Sequence, residues 1–164
     1  TRSNYRHLPD IAQILIQLGV SQYQFAFVHS LGTAKEYFGS VTPRMELIAP
    51  YVRKGLTLGR QRGVLGLTEA VPYCFMIRHE NSVAETYMPR TKIFDAKMVL
   101  DDYTEYRWTQ GKVHGPPCKD CTWNKVCEGP WKEYPEYFGW KEFVPRKDPC
   151  FLEDRDESDS KESC

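Results

Sequence analysis

Six cysteines are distributed unevenly along the 164 residues, and their spacing is the strongest indication of chemistry in the chain. Residues 1–73 contain none, and Cys74 is then followed by Cys118, Cys121 and Cys127, which have the spacing C-x2-C-x5-C. A C-x2-C pair in a tight turn directs two thiolates at one metal centre, and five further residues allow the chain to return with a third. The spacing therefore predicts a metal site that takes its fourth ligand from elsewhere.

Cys74 is the expected fourth ligand, because it follows a predicted strand and such a position holds a ligand rigidly. Cys150 is the alternative, whereas Cys164 at the last position is not expected to take part. His114 is a further candidate if the metal is zinc. Zinc binds four thiolates tetrahedrally, and a [4Fe–4S] cluster also takes four thiolates, so the spacing alone leaves both metals open.

The composition predicts a globular chain without a strong electrostatic field. Hydrophobic residues make up 41% and aromatic residues 13%, while 22 basic side chains balance 22 acidic ones. This apolar content is enough to bury a core, and the apolar runs, such as residues 14–16, are far too short to cross a bilayer. No segment has the pattern of a secretory signal. We therefore expect a cytoplasmic protein, no membrane partner, and cysteines that bind metal rather than form disulfides.

Lysines beside tryptophans in the cysteine-containing region are also compatible with stacking on nucleic-acid bases. The glutamates between these lysines cancel the positive field that such binding needs. The lysines are residues 119, 125 and 132, and the glutamates are residues 128, 133 and 136. We therefore expect no nucleic-acid partner.

Two helix–strand pairs are predicted before Cys74. Apolar residues at steps of three and four predict a helix over residues 8–18, and alternating aromatic residues predict a strand over 22–29. Thr42 and Pro43 are typical of the cap and first position of a second helix, which precedes a short apolar strand. This order predicts parallel βα units, and two such units form an incomplete sheet.

The chain after Cys74 predicts fewer regular elements. Residues 75–96 indicate turns or a hairpin, and residues 101–110 a short polar helix. Residues 115–149 are rich in Pro, Gly and aromatic side chains without a clear period, so this segment needs a staple such as a bound metal. Residues 150–164 are acidic with little apolar content, which predicts a disordered tail.

The sequence that follows the cysteine triplet carries a family resemblance. The run CEGPWKEYPEYFGWKEFVP, from Cys127 to Pro145, resembles the auxiliary-cluster region of radical S-adenosylmethionine enzymes, most closely the SPASM/Twitch class. Residues 1–29 resemble the end of the fifth strand, the helix and the sixth strand of that family's partial (β/α)6 barrel. The matching residues after the triplet are Gly129, Tyr134, Tyr137, Phe138, Gly139, Glu142 and Pro145.

This resemblance implies an α/β fold in three parts. Residues 1–72 are expected to be the C-terminal βα units of a partial (β/α)6 TIM-like barrel. Residues 73–149 are expected to form a loop-rich lobe with an auxiliary iron–sulfur cluster, and residues 150–164 an acidic disordered tail.

The chain departs from the family pattern in two ways. The C-x3-C-x2-C motif that holds the catalytic cluster is absent from these 164 residues. We therefore expect this chain alone to be inactive, with an N-terminal barrel half carrying that cluster as its missing partner. Pro130 and Trp131 stand near where a full SPASM pattern has a further cysteine, so one auxiliary cluster is expected rather than two.

The family chemistry gives this chain an expected role. In the complete enzyme, S-adenosylmethionine is cleaved reductively, and the resulting 5′-deoxyadenosyl radical abstracts hydrogen from the substrate. The resemblance implies a peptide or small-molecule substrate and a reductant such as flavodoxin or ferredoxin. It further implies that Cys74, Cys118, Cys121 and Cys127 hold an auxiliary [4Fe–4S] cluster that relays electrons. Four aromatic side chains are expected to shield it: Trp123, Trp131, Tyr134 and Trp140.

Three further residues are candidates for ligand contacts. The family's fifth strand end contacts the adenosine part of S-adenosylmethionine, which makes Asn4 a candidate, although a role as helix cap is equally open. His29 and Ser30 close the next predicted strand at the same rim, where barrel enzymes bind substrates. The alternative function from a different class is a zinc-stabilised binding module without redox chemistry.

Overall fold

The computed structural model describes residues 1–95 and 99–149. The predicted tail over residues 150–164, and with it the alternative ligand Cys150, lies outside the described residues.

A two-stranded parallel sheet lies at the centre of the first half of the chain. Strand β1 comprises Gln22–Ala26 and strand β2 comprises Leu65–Glu69, with Gln22 opposite Leu65 and Ala26 opposite Glu69. Side chains alternate along β1, so Tyr23 and Phe25 are buried while the glutamines beside them are exposed. The predicted strand is confirmed, although it ends three residues earlier than expected.

Two helices cover this sheet on the side of Tyr23 and Phe25. Helix α1, Leu8–Gln17, follows a 3-10 turn, and helix α4, Met45–Gln61, is the longest element of the crossover between the strands. A parallel pair requires such a crossover because a tight turn cannot join its strands. Two short helices lie between β1 and α4, namely α2, Thr33–Glu36, and α3, Phe38–Val41.

The predicted start of the second helix is wrong. The helix begins at Met45, with Arg44 in the capping position and no side-chain cap. Thr42 is instead fully buried, and its hydroxyl shares a 2.8 Å hydrogen bond with the hydroxyl of Ser30. That bond orients the Thr42 side chain toward the loop after β1 and away from the helix N-terminus.

The second half of the chain consists mainly of short turns. Strands β3, Ile93–Phe94, and β4, Val99–Leu100, form a small antiparallel pair. Helix α5, Tyr103–Tyr106, continues into a π turn, and helix α6, Glu133–Phe138, lies within the segment for which no period was predicted. The π turn comprises Arg107–Gly111. The remaining short elements are Tyr73–Phe75, Glu80–Ser82, Ala84–Thr86 and Pro116–Asp120.

One continuous core joins the two halves. Val52 and Leu56 of α4 belong to the same buried cluster as Trp123, Trp131 and Phe143. The predicted division after residue 72 is therefore crossed by packed side chains. The described residues form a mixed α/β structure with two small sheets, and none of their helices combines the length and apolar character needed to cross a membrane.

Candidate metal centre

Four cysteines from two distant segments line one small cavity. Cys74 meets Cys118, Cys121 and Cys127 around a space of about 30 Å³, and all four are free thiols that are only partly exposed. Much of the remaining wall is apolar. It contains four prolines, which have no N–H group that could donate a hydrogen bond to the sulfurs. Those wall residues are Pro72, Pro117, Pro130, Phe143, Val144 and Pro145.

Cys74 is positioned by the end of strand β2. Ala70, directly after the strand, adopts a left-handed conformation with φ 58° and turns the chain sharply. The 3-10 turn Tyr73–Phe75 follows, closed by a 2.9 Å hydrogen bond from the Phe75 N–H to the Pro72 carbonyl. A non-glycine residue at positive φ is uncommon and requires support from its surroundings. The strand end and this turn therefore hold Cys74 at a defined place.

The cysteine triplet is positioned by two successive turns. The Cys118 N–H donates to the Gly115 carbonyl at 3.0 Å, and the Cys121 N–H donates to the Cys118 carbonyl at 3.1 Å. The Cys127 N–H then donates to the Trp123 carbonyl at 3.0 Å, so the five intervening residues fold back on themselves. This geometry agrees with the return of the chain that the C-x5-C spacing predicts.

Burial and the nearby sulfurs favour the uncharged form of the Cys74, Cys118 and Cys127 thiols. Burial raises the pKa of Cys74, and the neighbouring sulfurs of Cys127, Cys121 and Cys118 raise it further. Burial raises the pKa of Cys127 to about 11, whereas the backbone N–H groups of Tyr73 and Gly129 act in the opposite direction. Burial also raises the pKa of Cys118. The four sulfurs thus share one electrostatic environment, in which a cation between them would relieve their repulsion as thiolates.

The four cysteines are the thiol groups that line the cavity. Within residues 1–95 and 99–149, no three His, Cys, Asp or Glu side chains are grouped closely enough to hold one metal ion. His114 also lines the cavity, but its Nε2 lies 2.5 Å from the Cys127 carbonyl oxygen and must donate hydrogen there. The cysteines are therefore the chain's candidate ligands at this cavity, and His114 is engaged elsewhere.

An aromatic stack supports the wall that carries Cys74. The ring of Trp123, which is fully buried, stacks on Tyr73 with centroids 4.9 Å apart. The Arg146 guanidinium lies over the Trp123 ring, 4.3 Å from its centroid. The same guanidinium pairs with Glu80 at 2.6 Å and with Asp148. Tyr73 immediately precedes Cys74, so this stack restricts the cysteine through its neighbour.

A buried charge network supports the wall that carries Cys127. The Arg107 guanidinium donates to both oxygens of the Glu128 carboxylate, at 2.8 and 2.9 Å. Lys112 joins the same carboxylate at 2.8 Å and reaches Glu85 at 2.5 Å, and Glu85 accepts the Ala70 N–H at 2.7 Å. The network therefore links the residue after Cys127 to the end of strand β2, from which Cys74 is presented.

The predicted aromatic shield differs from the aromatic residues that the structure places at the cavity. Tyr73 and Phe143 line it, and Trp123 lies one layer behind Tyr73. Trp131 stacks instead on His29, and Trp140 packs against Gly115, where a Cβ atom would overlap its ring. The fourth expected residue, Tyr134, is hydrogen-bonded to the start of α4. These side chains pack the surrounding lobe.

The three other candidate residues lie away from the cysteines. Asn4 lines a cavity of about 230 Å³ beside β1, and its Oδ1 accepts a 2.8 Å hydrogen bond from the Thr1 hydroxyl; it makes no capping hydrogen bond. His29 stacks on Trp131 with centroids 3.7 Å apart. Ser30 is buried against Thr42. The structure thus brings together the predicted cysteines but does not bring these three residues to them.

A comparison with protein-family models, curated proteins and solved structures found no match for this chain. The resemblance described above therefore rests on the motif residues themselves.

Proposed function

We propose that Cys74, Cys118, Cys121 and Cys127 bind one [4Fe–4S] cluster and that the chain is the auxiliary-cluster part of a radical S-adenosylmethionine enzyme. The single observation that carries this proposal is the convergence of Cys74 with the triplet on one cavity, although 43 residues lie between Cys74 and Cys118 in the sequence. A metal centre between these sulfurs would allow them to be thiolates together, because its positive charge offsets the mutual repulsion that raises the pKa of Cys74.

The choice of an iron–sulfur cluster over a single zinc ion rests on the family resemblance, because four thiolates suit either centre. In a four-iron cluster each thiolate binds a different iron, so all four cysteines that line the cavity would be used.

The wall of the cavity supports a redox role. Its apolar residues, such as Phe143 and Pro145, exclude water, and the N–H groups of Tyr73 and Gly129 lie against the Cys127 sulfur. Burial and hydrogen bonds to sulfur are the two means by which a protein tunes a cluster's potential. A cluster with four thiolates supplies one-electron transfer and leaves no iron free for a substrate.

The wider assignment comes from the resemblance. We propose that the catalytic cluster and the S-adenosylmethionine site belong to an N-terminal barrel half, with Asn4, His29 and Ser30 on the barrel side of this chain. We further propose a peptide or small-molecule substrate, a flavodoxin- or ferredoxin-type reductant, and a cytoplasmic setting in which the thiols remain reduced. The auxiliary centre would exchange electrons with that half.

Anaerobic reconstitution of the full chain with iron and sulfide tests the metal. The proposal expects about four irons and four sulfides per chain, with a broad visible absorbance that dithionite bleaches. Cys121→Ser is expected to abolish this absorbance, and Cys164→Ser, which changes the terminal cysteine, is expected to retain it. Stoichiometric zinc without a chromophore after anaerobic purification would instead establish the zinc-stabilised module.

A further inference from the structure

The turns that carry the cysteine triplet also carry exposed lysines. Lys119 lies in the C-x2-C turn and Lys125 in the C-x5-C turn. The Lys147 Nζ donates a 2.7 Å hydrogen bond to the Asp120 carbonyl, so this lysine lies against the C-x2-C turn. Lys141 is exposed on the segment that leads into the apolar wall of the cysteine cavity. We call these four exposed side chains the lysine face: Lys119, Lys125, Lys141 and Lys147.

Three glutamates that could cancel this positive charge are buried. The side chains of Glu128, Glu133 and Glu142 are 4%, 6% and 2% exposed. The Glu128 carboxylate pairs with two buried cations, and the Glu142 carboxylate lies 3.6 Å from the Arg44 guanidinium. The charges of these two glutamates are therefore compensated by partners that do not belong to the lysine face.

Two aspartates remain at the surface beside the lysine face. Asp120 is exposed in the C-x2-C turn, and Asp148 is exposed but pairs with the Arg146 guanidinium. Arg146 pairs in addition with Glu80. Five cations against three carboxylates leave two net positive charges here, although the net charge of the whole chain is zero.

An apolar surface adjoins the lysine face. Val144 lines the cysteine cavity and is 68% exposed, so the cavity wall reaches the surface there. Pro117 and Pro145 line the same cavity and are partly exposed. Protein interfaces combine an apolar centre with a polar rim, and weak redox encounters use small interfaces. The surface beside the cysteines has both parts.

The positive charge favours an acidic partner, and the burial of two tryptophans favours a protein over nucleic acid. Single-stranded nucleic acids bind through rings on which their bases stack. Trp123 and Trp131, which flank the lysines in the sequence, are buried and offer no such surface. An acidic protein needs no exposed ring, because opposite charges steer it and an apolar centre seats it.

We propose that an acidic one-electron carrier protein docks on the lysine face and reduces the centre held by the four cysteines. The carrier loses one electron, the cluster gains it, and no bond forms or breaks. This inference rests on the proposed iron–sulfur cluster and adds the place of contact and the charge of the partner. Attraction between opposite charges increases the association rate, and salt weakens that attraction.

Stopped-flow reduction of the anaerobically reconstituted full chain by flavodoxin hydroquinone tests the contact. Bleaching of the cluster is expected to slow by about tenfold or more between about 0.02 and 0.5 M salt. Reduced methyl viologen, a small cation, is the control reductant, and salt is not expected to slow its reaction. A flavodoxin rate that does not depend on salt overturns the proposal.

Two further outcomes separate this proposal from the proposed function. A cluster that dithionite bleaches but flavodoxin does not reduce overturns the docking surface alone. A chain that forms no such cluster refutes the proposed function and the docking surface with it. A flavodoxin rate that increases with salt also overturns the proposal, and it would assign the lysine face to residues 150–164, which contain six acidic and two basic side chains.

Charge reversal locates the contact within the molecule. Lys119→Glu combined with Lys125→Glu is expected to slow flavodoxin reduction by about tenfold or more at low salt, with iron content and dithionite bleaching as in the parent chain. Lys35→Glu combined with Arg62→Glu is the matched control, because both residues are exposed on other elements and the change in net charge is the same. The control is expected to react within about twofold of the parent rate.

The variants also give the results that overturn the assignment. Equal slowing in the two double variants would show an effect of net charge without a docking surface. Unchanged flavodoxin reduction in the Lys119 and Lys125 variant, together with loss of its binding to a single-stranded thymidine oligonucleotide, would assign the lysine face to nucleic acid instead.

Discussion

The Tyr134 hydroxyl donates a 2.6 Å hydrogen bond to the Glu142 carboxylate and accepts another, also 2.6 Å, from the Met45 N–H. The second oxygen of Glu142 accepts the Glu46 N–H at 2.8 Å. Two residues that carry the family resemblance therefore satisfy the first N–H groups of α4, which has no side-chain cap of its own. This contact fastens the C-terminal lobe to the helix that covers the sheet.

Removing the Tyr134 hydroxyl is expected to lower the free energy of unfolding by about 1–3 kcal/mol. The Met45 N–H loses its acceptor, and the buried Glu142 carboxylate loses a donor. Urea unfolding of Tyr134→Phe measures this loss. Tyr37→Phe is the matched control, since Tyr37 is 60% exposed, and it should leave the midpoint nearly unchanged. Equal effects of the two variants would show that the capping bond contributes nothing.

Neutralising Glu128 is expected to destabilise the chain by about 3–5 kcal/mol, because the buried Arg107 then loses its carboxylate partner and Lys112 keeps only Glu85. Arg107 and Lys112 both pair with this carboxylate, and their side chains are each 1% exposed. Glu128→Gln preserves the volume, so thermal or urea unfolding reports the charge itself. Glu105→Gln provides the exposed control. A loss below about 1 kcal/mol, the range of exposed ion pairs, would contradict this view of the network.

Gly129 is expected to tolerate no side chain. Its φ is +79°, and a Cβ atom there would meet the carbonyl oxygen of Val113 inside contact distance. Gly19 has a similar φ of +76° but open space around it, so Gly19→Ala measures the cost of the left-handed backbone alone, about 1–2 kcal/mol. Gly129→Ala should unfold at clearly lower urea concentration than Gly19→Ala. Similar midpoints would mean that the backbone beside Cys127 can shift to accept a methyl group.

Stability is expected to fall as the pH falls below about 6.5, the ordinary pKa of histidine. Burial lowers the pKa of both His29 and His79 in the folded chain. The unfolded chain therefore binds more protons between the lowered values and 6.5, so this contribution is complete above 6.5 and is lost toward lower pH. His79→Gln should unfold with a shallower pH dependence in urea titrations on both sides of 6.5. An unchanged slope would contradict a role for His79.

The sequence allowed prediction of those features that depend on local spacing. Helix α1 follows from apolar residues at steps of three and four, and the parallel strand order follows from the helix–strand alternation. The placement of Cys74 near the triplet required the additional idea that a strand end holds a ligand rigidly. That expectation agrees with the cavity shared by all four cysteines.

Features that depend on tertiary packing could not be predicted in this way. Arg107 and Glu128 have the charges of a solvated surface, yet they are buried because Lys112 and the end of β2 surround them. The Glu133 side chain is likewise buried, with 6% of its surface exposed. Helix α6 is short and contains Pro135, so its residues show no helical period. Nothing in one sequence distinguishes a paired buried charge from an exposed one.

The most direct test of the proposed cluster is the iron content and dithionite-reduced paramagnetic spectrum of Cys74→Ala compared with Cys150→Ala. Both chains are reconstituted anaerobically in the same way. We expect Cys74→Ala to lose most of its iron and the signal of a reduced four-iron cluster, and Cys150→Ala to keep both. Full iron content and an unchanged spectrum in Cys74→Ala, with loss of both in Cys150→Ala, would contradict the assignment of Cys74 as the fourth ligand.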